Sequence, residues 1–157
     1  MGLPLRVFPQ SASVWWVGAH GGSGESTFAK LLPGSVESQH TWPQSATPLP
    51  GGIPVVLMAR TNLSGLESAR NALTQWASGT VPGIQLLGLA LVSDAPGKLP
   101  KPLKDFAHLV GGGAPRVWRV PWMEQWRTDP PTAPDPRGMP AELRKLIKSV
   151  QVLIQKS

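Results

Sequence analysis

Residues His20-Gly21-Gly22-Ser23-Gly24-Glu25-Ser26-Thr27 follow the apolar run Val14–Val17 and open a short helical pattern. Strand, glycine-rich turn and helix start make the layout of a phosphate-binding loop. Successive backbone amides point into such a turn, the helix N-terminus adds partial positive charge, and glycines let phosphates approach closely. The working pattern, G-x-x-x-x-G-K-[ST], adds a lysine for the β- and γ-phosphates and a hydroxyl for Mg²⁺. Gly24 and Ser26 match the last glycine and the hydroxyl, Ala19 stands where the first glycine would be, and Glu25 replaces the lysine. A carboxylate ~4 Å from a phosphate charge opposes binding by roughly 4 kcal/mol at an effective dielectric near 20. That weakens ATP binding by orders of magnitude unless Arg60, Lys98 or Arg116 swings in. A glutamate in a first helical turn is also favourable against the helix dipole, and its carboxylate can itself fill the anion site. The expectation is a loop that has stopped binding nucleotide: no cofactor, no catalytic residue, ATP or ADP with Mg²⁺ disfavoured. The alternatives are weak, non-hydrolytic nucleotide binding and a genuine nucleotide-binding protein or weak ATPase completed by residues from another subunit.

Other chemistries find less support. Gly21-Gly22-Ser23-Gly24 superficially resembles a G-x-S-x-G nucleophile elbow, but Glu25 holds the fifth position. Its base would have to be His108 or His40, so a serine hydrolase is disfavoured. Three scattered histidines make no metal cluster, and His20 reads as a turn residue. The chain has no cysteine, which excludes disulfides, cysteine-ligated zinc and a thiol nucleophile. Asp94 ends an apolar run before Ala95-Pro96-Gly97 and reads as a turn former. Trp118, Arg119, Trp122, Trp126 and Arg127 cluster late in the chain as a candidate interaction surface.

The elements that must position these residues read as alternating strands and helices. Residues 5–8 suggest a short strand, and 13–17, 53–59, 84–92 and 116–120 are strands, the first three as continuous apolar as a strand buried on both faces. Helices are expected near 25–32, 65–78, 102–110 and 141–155. Ser64 and Glu67 have the spacing of a capping box. Residues 33–52 carry no period and read as a loop, with a small strand near His40–Trp42. The alternation predicts an α/β three-layer domain, a Rossmann-like parallel sheet of four to five strands flanked by helices. It spans residues 1–127. A proline-rich linker covers 128–140 and a C-terminal amphipathic helix covers 141–157. Leu143, Leu146, Ile147, Val150, Leu153 and Ile154 line one face of that helix, and Arg144, Lys145 and Lys148 lie on the other. The expectation is a helix packed on the same domain, the sharper alternative being a face offered to a membrane or a partner groove.

The loop resembles the deviant Walker A motif of the ParA/MinD-type ATPases, K-G-G-x-G-K-[ST]-[ST], with both lysines lost, to His20 and Glu25. Ile53–Thr61 with its helix resembles that family's late strand-helix unit, Ile84–Asp94 its next strand, which in the family ends near the nucleotide base and so implies a base-side place for Asp94, and Arg119-Val120-Pro121-Trp122 its "I-P-x-D" strand end. The resemblance implies a P-loop NTPase-like fold and, because no strand within 33–52 ends in the family's Walker B aspartate, a degenerate, non-catalytic member. It further implies an adaptor or regulatory protein of plasmid or DNA partition or transfer.

Composition sets the outer bounds. The chain has 157 residues, 41% of them hydrophobic, and fifteen Lys+Arg against nine Asp+Glu, a net charge of +6. The length suits one domain. The basic excess favours polyanions, either nucleic acid or an anionic membrane surface. No signal peptide or membrane-spanning run is evident, so a cytoplasmic protein is expected. A protein partner, nucleic acid, peripheral membrane contact and a homodimer are the candidate associations.

Overall fold

A computed structural model describes residues 2–132 and 139–156. Its elements run β1 (Leu5–Val7), β2 (Val14–Gly18), α1 (Glu25–Leu31), β3 (Ser35–Glu37), β4 (Trp42–Gln44), β5 (Ile53–Arg60), α2 (Leu63–Ala77), β6 (Ile84–Val92), α3 (Lys101–Gly111), β7 (Val117–Val120), a 3-10 turn (Glu124–Arg127) and α4 (Ala141–Gln155). The main sheet is five-stranded, in the order β3-β2-β5-β6-β7, and every pairing is parallel. The fold is therefore α/β and three-layered, as the alternation of apolar runs and helical stripes predicts.

The apolar runs β2, β5 and β6 occupy the sheet centre because they alone have two apolar faces to cover. Trp15, Val17, Val55, Leu57, Leu89 and Leu91 face one layer, where Leu66, Ala69 and Leu73 of α2 and Ala107 and Val110 of α3 meet them. Trp16, Val56, Met58 and Ala90 face the other, against Phe28 and Leu31 of α1 and Leu143, Leu146 and Val150 of α4. α4 thus spends its apolar stripe on the sheet, and Arg144, Lys145 and Lys148 remain exposed.

Two expectations are corrected. Residues 33–52 are not a loop with one small strand, since they hold β3 and β4. β3 is too short to show a period of its own and is fixed by pairing with Val14–Trp16 of β2. β4 pairs in parallel with β1 in a separate two-stranded sheet. The capping box is also absent. Helix α2 starts two residues earlier, and Asn62 caps it, its side-chain oxygen accepting the Gly65 amide at 2.7 Å. Ser64 donates its hydroxyl to that same oxygen at 3.1 Å, and Glu67 is exposed. Of the expected linker, 133–138 lie outside the described residues.

The lead-in segment is tied down by Gln75 of α2. Its side-chain oxygen accepts both the Leu3 amide and the Trp42 indole N–H at 2.8 Å, and its amide nitrogen donates to Leu3 O at 2.7 Å. Trp42 is fully buried, so this side chain satisfies an indole that has no water to turn to.

Candidate functional site

The sheet order places a topological switch between β2 and β5. The chain leaves β2 through α1 on one face toward β3, and leaves β5 through α2 on the other face toward β6. The two loops part at the carboxyl ends of these strands and open a crevice, the position at which open α/β sheets take ligands. The glycine loop, Arg60, Ser93 and the segment after Val120 border it.

Glu25 does not fill the anion cradle. Its carboxylate accepts the Gly18 amide at 2.6 Å and the His40 amide at 3.1 Å. The register explains why. Ala19 N bonds to Met58 O on the β5 side, so the Gly18 amide points toward β3, which has already ended at Glu37. Glu25 supplies the acceptor that a longer β3 would have supplied. The turn after β3 wraps it: Gln39 and His40 both adopt left-handed backbone (φ 57° and 61°), and Thr41 donates its hydroxyl to Ser38 O at 2.8 Å. His40 Nδ1 lies 2.9 Å from Glu25 Oε1, close enough for an ion pair when protonated but without hydrogen-bond alignment. Glu25 is only 5% exposed. Burial pushes its pKa above the usual carboxylate value, opposed by the Gly18 amide and His40.

Gly18 faces this cluster. A Cβ there would collide with the Ser23 hydroxyl and come within 2.8 Å of His40 Nδ1. Ser23, His40 and Glu25 therefore gather around one strand end, yet Ser23 is fully buried and its hydroxyl has no hydrogen-bond partner among the described residues. A nucleophile needs a base in contact and access to substrate. His108, the other candidate base, is exposed on α3.

His20 and Arg60 knit the loop to β5. The His20 ring accepts the Arg60 amide at Nε2 (2.9 Å) and faces Gly21 O with Nδ1 (2.8 Å). These partners select the neutral tautomer protonated on Nδ1. The Arg60 side chain donates through Nε to Gly22 O and through one terminal nitrogen to Ser93 O, each at 3.0 Å. Burial draws its pKa down, and Asp94 acts through space in the opposite sense. Of the three cations weighed as replacements for the missing lysine, Arg60 alone bonds to the loop. Arg116 instead donates to Leu87 O at the far end of β7, and Lys98 is exposed beyond β6.

Beside the loop, on the α1 face, lies a cleft of about 210 Å³. Thr27 and Phe28 of α1, Arg60, and Trp122, Trp126 and Arg127 of the segment after β7 line it. The expected tryptophan–arginine cluster is divided. Trp118 packs on the α4 side and Arg119 is exposed toward α3, while Trp122, Trp126 and Arg127 come to the loop. Trp126 meets Phe28 edge-on at 6.3 Å. Glu124 binds the Trp122 indole at 2.6 Å and Arg127 at 2.9 Å, and those two partners hold its pKa below the usual value. Asp94 is exposed in the turn after β6, and Ser26 is exposed on α1. Gly21 and Gly22 are exposed, Gly24 begins α1 in a left-handed conformation (φ 105°), and no metal-binding group of His, Asp or Glu forms among the described residues.

A family profile matches residues 12–147, from the approach to β2 into α4. The chain belongs to DUF6668, a family of unknown function. No curated protein and no solved structure matches it. The DUF6668 match takes in the glycine loop, the β3 turn and the cleft, and leaves β1 outside. No helix among the described residues is long and apolar enough to cross a membrane. The sequence pattern shows the glycine loop, but His40 enters there only as a hydrolase base and Arg60 only as a substitute for lysine. The signal for Arg60 is its place as the last residue of a central strand, next to the loop strand.

Proposed function

We propose that this chain is a non-catalytic, ParA/MinD-like pseudo-NTPase that works by binding, as an adaptor or regulatory protein in the cytoplasm, in plasmid or DNA partition or transfer. The observation that carries the reading is the Glu25 carboxylate locked onto Gly18 and His40. The side chain at the lysine position completes the backbone bonding of two strand ends, so it is not free to swing away from an incoming phosphate. A triphosphate with Mg²⁺ does not fit this residue set: a buried carboxylate lies behind the loop, and of the cations weighed as substitutes for the lysine a single one, Arg60, bonds to the loop. Titration calorimetry with Mg-ATP and Mg-ADP tests this. The unaltered protein is expected to show no binding at millimolar nucleotide. Tight binding would sink the proposal. Glu25→Lys is expected not to restore binding, because its ammonium would face two backbone N–H groups that need an acceptor.

A second reading, a polyanion-binding module, has its own support. Residues 98–157 carry eleven Lys+Arg against five Asp+Glu, and residues 1–97 carry four against four. The whole basic excess thus belongs to α3, β7, α4 and their connections, on the side where β7 forms the sheet edge. DNA retention that weakens steeply with salt would favour it.

A further inference from the structure

We infer that the cleft beside the glycine loop binds a small ligand with a flat aromatic body and a single anionic group, a carboxylate or a phosphate monoester. The inference rests on the reading of the chain as a binding protein and names what that site takes. The volume comes first. About 210 Å³ lies below the roughly 300–1,000 Å³ of pockets for drug-sized ligands. One ring and a charged group fill it.

The walls come next. Phe28 and Trp126 make a rigid apolar floor, held edge-to-face, and Trp122 is fixed by its indole bond to Glu124. Two half-exposed tryptophans with an orienting phenylalanine suit a planar body, because aromatic pairs gain stability in stacked or edge-on geometry. The charge comes last. Arg60 and Arg127 border the cleft, and no carboxylate lines it. Arg60 is aimed by Gly22 O and Ser93 O through Nε and one terminal nitrogen. Its second terminal nitrogen has no hydrogen-bond partner among the described residues. A guanidinium fixed by two carbonyls loses little freedom on meeting an anion. Arg127 is occupied by Glu124, so one anionic group, facing Arg60, is what the site can match.

Calorimetric titration of the full chain with four probes tests the assignment: benzoate, phenyl phosphate, benzamide and inorganic phosphate. Benzoate or phenyl phosphate is expected to bind at least ~tenfold more tightly than benzamide and inorganic phosphate, since a charge-assisted bond and ring burial each exceed one decade. A preference for benzoate selects a carboxylate ligand and the reverse a phosphate monoester. Arg60→Gln and Trp126→Leu are each expected to lose ~tenfold or more for the preferred probe. Arg60→Gln also removes two loop bonds, so Trp126→Leu and a thermal melt of each variant separate lost binding from lost folding. Benzamide binding as well as benzoate, inorganic phosphate binding as well as phenyl phosphate, no binding of either aromatic anion at millimolar concentration, or unchanged affinity in a folded Trp126→Leu protein would overturn the inference. Mg-ATP binding at the same site would overturn both this inference and the pseudo-NTPase reading, whereas failure of the aromatic anions without Mg-ATP binding would overturn this inference alone.

Discussion

Glu25 sits at a position where two demands meet. Helix α1 favours an acid in its first turn, and the β2 and β3 ends need an acceptor for the Gly18 and His40 amides. Its carboxylate is buried, and burial outweighs those bonds in setting its protonation, so the native pKa stands above the ordinary glutamate value of 4.5. The native state therefore holds the proton to higher pH than the unfolded chain does. Where it does so, stability falls as pH rises. The expected outcome is a stability loss that begins as pH rises past about 4.5 and ends once the raised native pKa is exceeded, read by urea unfolding at a series of pH values. Glu25→Gln, which keeps an acceptor oxygen without the charge, should flatten that slope. An unchanged slope in Glu25→Gln would assign the pH dependence to another group. Gly18→Ala belongs to the same cluster. Its methyl would collide with the Ser23 hydroxyl, and an overpacking cost of about 1–3 kcal/mol is expected.

Helix α2 ties the loop end of β5 to the lead-in segment, because its N-terminus follows Arg60 and its last turn carries Gln75. The competing caps, Asn62 and Ser64, are separable by measurement. Asn62→Ala removes the acceptor of the Gly65 amide and should cost about 1 kcal/mol. Ser64→Ala removes only a hydroxyl that donates to Asn62 and should cost a few tenths. Equal costs would restore the capping box that Ser64 and Glu67 suggest. Gln75→Leu strands the buried Trp42 indole and the Leu3 backbone groups, and about 1–3 kcal/mol is expected in thermal or urea unfolding. The helix stripe of Leu66, Ala69 and Leu73 was legible in the sequence because it repeats at helical spacing. The cap was not, because two acceptable capping residues stand two positions apart and the end of β5 chooses between them.

Across the whole molecule the charge is uneven, neutral over residues 1–97 and +6 over residues 98–157. The sheet turns that linear division into a spatial one, since the later elements gather at the β7 edge. Nucleic-acid retention, if it occurs there, should lose about 0.9 in the log–log salt slope for each phosphate contact removed. Lys145→Glu with Lys148→Glu on α4 is expected to weaken DNA binding and flatten the slope, whereas Arg6→Glu on β1, in the neutral segment, should change neither. Equal effects from both would point to nonspecific attraction to net charge.

The local pattern of the chain is enough for the central strands, the four helices and the glycine loop, because continuous apolar runs, helical stripes and turn residues carry their own signal over a few neighbours. That pattern also places an acid where a phosphate-binding lysine belongs. Tertiary structure alone decides what the acid touches. The strand β3 is three residues long and exists through its pairing with β2, and its early end is what leaves Gly18 N in need of Glu25. The meeting of Arg60 with Trp122 and Trp126 likewise depends on β5 and β7 lying two strands apart in one sheet, a contact between segments some sixty residues distant in sequence. Such contacts arise from register and layer packing, which no short window of residues encodes.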